Sequence, residues 1–346
     1  MFRQARARSG GDGGGGGVAP ASRRERSGPL LKWAGGKRQL LPQLRRFYPN
    51  SFGRYVEPFF GSGAVFFDLV ERGLLKGREA LLIDSNADLI GCYEAVRDSP
   101  EAVADALAEL AESRARLGRA HYYEVRDQRF NPARLTRRQA DGRIAYTPEL
   151  AAMLVYLNRT GFNGLFRVNA RGGFNVPAGR YARPQILDRA RLYRVSEALS
   201  ADHVQLAWGS FELADDQAGR GDFLYVDPPY APLTATSSFT AYTSSRFGTD
   251  DQARLQRLTV SLARRGSHVL LSNSTAPEIS ALYETSAEAR GAGLKTFRVP
   301  ARRAINSDAT RRGPIDEFLI TNIVPDDDTA GNGPASRTDS RQTGRT

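Results

Sequence analysis

At 346 residues the chain can bury one substantial core and a smaller second one. Its 40% hydrophobic and 25% charged content is ordinary for a soluble globular protein, whereas a formal charge of +11 favours a polyanionic partner, nucleic acid first, because each phosphate neutralised releases condensed counterions. One cysteine, Cys92, excludes an intrachain disulfide and a Cys-cluster zinc site, and His121, His203 and His268 lack metal-ligand spacing. No metal is expected, and with no apolar run near the length of a membrane span and no signal-peptide core, a cytoplasmic, monomeric protein with no membrane contact is.

Residues 1–28 are glycine, arginine and serine with almost no large aliphatics, so a flexible arm is expected. Order begins at Pro29. The run Leu30-Leu31-Lys32-Trp33-Ala34-Gly35-Gly36-Lys37 places two glycines between an aromatic and a lysine, ahead of a helix-like stretch to Arg46. It fails as a phosphate loop, since Arg38 stands where a Ser or Thr would bind magnesium. Tyr55 to Leu69 runs strand, glycine turn, helix, with Phe60-Gly61-Ser62-Gly63 at the turn; lacking a third glycine, it supports a dinucleotide poorly. Ala80-Leu81-Leu82-Ile83 is a second apolar strand ending at Asp84, about twenty residues after the glycines, where an acid is placed to accept hydrogen bonds from a ribose diol.

Residues 99–117 predict an amphipathic helix through Val103, Leu107, Leu110 and Leu117. From His121 to about Tyr146 the period is lost and arginines accumulate, among them Arg134, Arg137, Arg138 and Arg143, as in an insertion that touches phosphates or crosses the surface. Tyr156 to Tyr181 then alternates asparagines and arginines with aromatics and glycines, a poor core and a good base-reading loop. A hairpin turning at Gly172-Gly173 is predicted between Phe166 and Val176.

A helix through Ile186 to Leu199 and a strand near Val204 to Ala207 lead to the chain's most informative stretch, Phe223-Leu224-Tyr225-Val226-Asp227-Pro228-Pro229-Tyr230. A buried strand stops there at a rigid polar lip. Asp227 and a backbone carbonyl could accept both N–H groups of a planar exocyclic amine, and Tyr230 offers a face on which a base could stack. Beyond it, Ala231 to Gly248 is a Ser/Thr-rich candidate for a mobile loop. A helix over Asp250 to Arg264, a strand over His268 to Asn273, and two last strands at Lys295 to Pro300 and Asp316 to Thr321 follow, the pair joined by the basic loop Arg302 to Gly313.

The Asp-Pro-Pro-Tyr lip, the Trp-Ala-Gly-Gly-Lys motif and the Phe-Gly-Ser-Gly turn, in this order around the Asn/Arg block, resemble the S-adenosylmethionine-dependent DNA adenine-N6 methyltransferases of the Dam type. The resemblance covers residues 29–323 and implies S-adenosylmethionine as methyl donor and double-stranded DNA as partner. It implies Trp33, Lys37, Phe60, Gly61, Gly63, Asp84 and Asp227 as cofactor contacts, and Asn163, Leu165, Arg167, Asn169 and Pro177 as specificity residues, with GATC the expected site. It makes Asp227, Pro228, Pro229 and Tyr230 the catalytic lip. The implied fold is α/β: a mostly parallel, doubly wound methyltransferase sheet with an antiparallel last strand. A helical and hairpin DNA-recognition insertion over 91–199 interrupts a catalytic domain formed by 29–90 and 200–324, and 325–346 is expected to be a disordered tail. The arm, the tail and the long Arg134 to Arg143 segment depart from compact family members. Two other readings stay open: a related amino-methyltransferase with another target, though Asp227 stands where cytosine enzymes favour Ser and glutamine-methylating ones Asn, and a catalytically inactive DNA-binding relative.

Overall fold

Side-chain alternation with a period of two, in runs too short to be helices, sets the architecture. β1 (Tyr55–Glu57), β2 (Ala80–Asp84), β3 (Val204–Trp208), β4 (Phe223–Val226) and β5 (His268–Ser274) pair in parallel. β6 (Lys295–Arg302) and β7 (Pro314–Thr321) form an antiparallel pair, and β7 inserts between β5 and β6. The seven-stranded sheet therefore reads β3-β2-β1-β4-β5-β7-β6, with β7 alone reversed, as expected. The structure, a computed structural model, describes residues 28–33, 35–232, 247–302 and 314–326. The expected arm up to residue 27, most of the Ser/Thr-rich loop (233–246), the basic loop (303–313) and the tail from 327 lie outside the described residues.

Alternation divides the core between the two faces of the sheet. Tyr55, Leu82, Phe223, Tyr225 and Leu270 point to one layer, and Val56, Leu81, Ile83, Leu224, Val226 and Leu271 to the other. On the first face lie α1 (Leu41–Leu44), α2 (Ala64–Glu71) and α3 (Ala87–Asp98), and the same layer continues through α4 (Pro100–Leu117), α5 (Ala120–Glu124), α6 (Asn131–Thr136), α7 (Pro148–Thr160) and α8 (Arg189–Leu199). The second face is covered by α9 (Leu213–Gln217), α10 (Thr249–Arg264), α11 (Pro277–Ile279) and α12 (Ala287–Gly291). Strand order reverses between β1 and β4, so the carboxyl ends of these neighbours, Glu57 and Asp227, border the crevice where such sheets bind ligands.

Helix boundaries follow caps. α3 begins at Asn86, whose side chain accepts from the amides of Asp88 and Leu89, and α8 begins three residues later than the apolar pattern suggests because Asp188 accepts from the Arg191 amide at 3.0 Å. The stretch from His121 to Tyr146, in which the sequence shows no clear period, is largely helical. It contains α5, a π-helical segment Val125–Phe130, α6 and a small hairpin closed by an Arg138–Ile144 bridge.

The reading of Arg134 as a surface, phosphate-facing arginine is corrected. Its guanidinium is buried and bidentate on Asp88, at 2.6 and 2.7 Å, and the Tyr146 hydroxyl donates to the same carboxylate at 2.9 Å. Two residues distant in sequence thus satisfy one buried acid in the first turn of α3. Arg134→Ala leaves Asp88 buried without its counter-ion and is expected to cost about 3–5 kcal/mol of unfolding free energy, read from urea denaturation. A loss below about 1 kcal/mol, the size of an exposed ion pair, contradicts this.

Candidate active site

Three neighbouring strands end in acids at the same edge of the sheet: Glu57 on β1, Asp84 on β2 and Asp227 just after β4. Burial is the largest influence on each and pushes each acid above its ordinary range, Glu57 well above, where Asp227 and Asp84 add like-charge repulsion. The Tyr55 hydroxyl donates to Glu57 at 2.8 Å. Glu57 is absent from the sequence assignment, although an acid closing an apolar run is the same signal that marks Asp84 and Asp227.

Asp227 is held from two sides. Lys37 Nζ lies 2.9 Å from its Oδ1, and Ser272 Oγ on β5 donates to that same oxygen at 2.9 Å. Both contacts fall on Oδ1, and an ionised carboxylate has further acceptor capacity on its second oxygen. Lys37 also donates to the Gly35 carbonyl at 3.0 Å and sits 4.3 Å from the centre of the Tyr230 ring, so the basic end of the N-terminal motif covers one face of the lip aromatic. The Tyr230 hydroxyl donates to Glu317 on β7 at 2.7 Å, and the phenol is raised well above its ordinary value by burial and then by the Asp227 and Glu317 charges.

The rest of the lip is tied down from behind. Gln252 on α10 donates to the Pro229 carbonyl at 3.0 Å and accepts from Asn273 at 3.1 Å, while Ser274 donates to the Ala231 carbonyl at 2.7 Å. Ser272 and Ser274 are two apart on β5 and so present the same face, which is why one strand grips the lip at two points. Sequence reasoning treated β5 as core; the sign of its role is the polar Ser-Asn-Ser ending an apolar run.

On the cofactor side, Asp84 accepts the Gly61 amide at 2.9 Å through Oδ2 and the Asn86 amide at 2.8 Å through Oδ1. Asn86 is therefore the helix cap and Asp84 the acid beneath the glycine turn. The glycines are required by the protein's own packing. Gly63 has φ +70, and a Cβ there would meet the Phe60 ring at 2.4 Å and Phe67 at 2.9 Å; one on Gly61, at φ +50, would approach Trp33 to 3.3 Å. Phe60 itself is buried among Phe66, Phe67 and Tyr93, so its ring belongs to the core. Trp33 is half-buried over Gly61 and stacks on Phe166 at 5.7 Å. Ala34 is outside the described residues.

Phe166 opens the predicted hairpin, which forms with a Val168–Phe174 bridge. Asn163 is exposed in the left-handed region at φ 54, Pro177 is exposed, and Leu165 is half-buried. Arg167 is half-buried with Nε on the Asn175 side-chain oxygen at 2.6 Å, and Asn169 uses its side-chain oxygen on the amides of Arg171 and Gly173, both at 3.0 Å. Asn158 on α7, unremarked in the sequence reading, joins the two regions. It accepts the Lys32 amide at 2.8 Å and donates to the carbonyls of Lys32 and Gly164 at 2.7 and 2.9 Å.

A sheet in this order, with one reversed strand near its end and an acid under a glycine turn, is the architecture of methyltransferases that take S-adenosylmethionine as donor. The residues fit that group. Asp84 spends one hydrogen bond per oxygen, leaving acceptor capacity for a diol. Comparison with known sequences narrows the class: the profile of D12 class N6 adenine-specific DNA methyltransferases matches residues 33–297, and the chain belongs to that family. It is 38% identical over 297 residues to Type II methyltransferase M1.LlaDCHI of Lactococcus lactis subsp. cremoris, covering 85% of this chain and 95% of that protein. Type II methyltransferase M.MjaIII of Methanocaldococcus jannaschii is 37% identical over 305 residues, covering 85% and 98%. The DNA adenine methylase of Escherichia coli K12 is 35% identical over 293 residues, covering 84% and 93%. Among the described residues no helix is long and apolar enough to cross a membrane.

The Lys37–Asp227 contact yields a pH prediction. Protonation turns one acceptor oxygen of Asp227 into a donor, so an activity that uses both oxygens as acceptors is lost as pH falls through its pKa, which burial raises and Lys37 opposes. Lys37→Met removes the opposing charge. The acid limb of kcat/KM is expected to move to higher pH, and a limb that stays in place or moves down contradicts the coupling.

Proposed function

We propose that this chain is a site-specific DNA adenine-N6 methyltransferase that acts on an adenine flipped from the duplex, within GATC. The observation that carries the reading is the one-sided grip on Asp227, in which both protein donors lie on Oδ1. Oδ2 and the Pro228 carbonyl then accept the two N–H groups of the adenine amine. Pro229 has a holding part, since its carbonyl already accepts from Gln252. Conjugation with the ring makes the amine nitrogen a poor nucleophile. Two acceptors outside the ring plane draw it toward a tetrahedral form and leave its lone pair on the methyl side.

S-adenosylmethionine, when bound, supplies the electrophilic methyl. Asp84 orients it through the ribose, while Trp33 and the Gly61 turn bound the crevice. Tyr230, fixed by Glu317, supports the extruded base, and Lys37 favours the ionised form of Asp227 against its burial. Positioning and electrostatics account for the rate in this scheme. Asn163, Leu165, Arg167, Asn169 and Pro177 address the site. Arg167 is braced by Asn175, and a guanidinium already oriented loses less on gripping guanine. The type II names of two relatives favour a restriction partner as the setting.

Asp227→Ala is expected to abolish methyl transfer while the protein still folds; tritium transfer near the wild-type rate contradicts the mechanism. Plasmid from a methylation-deficient host expressing the protein should resist a GATC nuclease blocked by adenine methylation and be cut by one that requires it. Unchanged digestion rejects GATC. Arg167→Ala should relax base choice more than it weakens nonspecific binding, and equal losses on cognate and scrambled duplexes reject that role.

A further inference from the structure

The chain builds the same hairpin twice, offset by 30 residues. In 167–175 the Asn169 amide donates to Gly173, the Gly172 amide to Asn169 and the Asn175 amide to Arg167, at 2.9, 2.8 and 3.0 Å. In 137–145 the Gln139 amide donates to Arg143, the Gly142 amide to Gln139 and the Ala145 amide to Arg137, at 2.8, 3.0 and 3.1 Å. The bridges correspond, Arg138–Ile144 to Val168–Phe174, and Gly142 and Gly172 both have positive φ, +96 and +78. Ile144 and Phe174 bury the same inward position.

Both hairpins stand at the carboxyl edge of the sheet. The later one reaches the site through Phe166 on Trp33. The earlier one lays Gly142 and Arg143 against Trp208, the β3 residue opposite Asp84 in register. One helix carries both. Asn131 on α6 bonds the amide and carbonyl of Phe174, Arg134 donates to the Gly172 carbonyl, and Leu135 lies 3.7 Å from where a Gly172 Cβ would be, immediately before the earlier hairpin begins.

Their side-chain chemistry differs. Arg167 is fixed by the Asn175 side chain, but the corresponding pair here is Arg137 and Ala145, which has no side-chain acceptor. Arg137 and Arg138 are exposed and form no salt bridge among the described residues, and Arg143 is exposed beside them. A guanidinium already held by the protein is preorganised for a base edge, while exposed arginines with no salt bridge have donors to offer to phosphates, where most protein–DNA hydrogen bonds fall. We propose that hairpin 137–145 is a second DNA-contacting element, which binds the sugar-phosphate backbone beside the target while hairpin 167–175 addresses the target itself. This rests on the reading of duplex DNA as substrate.

The test compares wild type, Arg137→Gln/Arg138→Gln and Asp141→Arg, the last of which copies Arg171. Affinity is measured against salt on a long duplex with a central target and on one cut back to the target, with S-adenosylmethionine binding followed in parallel. On the long duplex the double variant should flatten the slope of log K against log salt by about 1.8, and Asp141→Arg should steepen it by about 0.9. Neither should change on the short duplex, and base choice and cofactor affinity should hold. Slopes equal to wild type in both variants overturn the proposal, as does a loss confined to cofactor affinity, which would make the hairpin a cofactor cap. Wild type that binds duplex without methylating it would sink the proposed function and leave the slope comparison standing; wild type that methylates, with variant slopes unmoved, would sink only the hairpin.

Discussion

A carboxylate at the end of a buried strand is costly to keep ionised, and the fold around Asp227 is arranged to meet that cost. Lys37 arrives from the N-terminal motif and Ser272 from the neighbouring strand, and both satisfy the same oxygen. The prolines remove two amides that would otherwise compete, and Gln252 and Ser274 hold the chain after them. The polar end of β5 and the position of the N-terminal segment thus both follow from one acid's need for partners at a strand tip.

The same economy links target recognition to chemistry. Asn158 and Arg159, consecutive on α7, bind the N-terminal motif, Asn158 clasping Lys32 and Gly164 together and Arg159 reaching the Leu30 carbonyl. A Cβ on Gly164 would lie 2.4 Å from Lys32 Cβ, so the turn ahead of the later hairpin and the N-terminal motif touch at backbone distance. Asp88, four residues beyond Asp84, anchors α6 through Arg134, and α6 carries both hairpins. Buried polar contacts with few alternatives hold the 163–177 segment in register with the strand ends that carry Asp84 and Asp227, and precise positioning is what a transfer site demands.

The glycine turn carries a related lesson. Glycines in a cofactor motif suggest open space for a ligand, yet at Gly63 the space is filled by Phe60 and Phe67. The turn is shaped by the aromatic core beneath it. It in turn fixes the Asp84 carboxylate, held by the Gly61 and Asn86 amides.

Much of this protein was legible in one dimension, because strand period, a glycine turn after a strand, an acid at a strand end and a Pro-Pro stop are local signals, set by backbone preferences over a few residues. They yielded the α/β sheet, the lip at Asp227, the acid at Asp84 and the hairpin at Gly172-Gly173, while the reversed strand was implied by the resemblance to Dam-type enzymes. Folding alone decided which distant groups share an atom. Ser272 on Asp227, Glu317 on Tyr230, Asn158 between Lys32 and Gly164, and Arg134 turned inward onto Asp88 are pairings of residues far apart in the chain, whose side chains taken singly suit solvent as well as a buried site. The repeat of one hairpin by another was likewise hidden, because it lies in backbone hydrogen bonds and a positive φ, which unlike side chains at 137–145 and 167–175 adopt equally well.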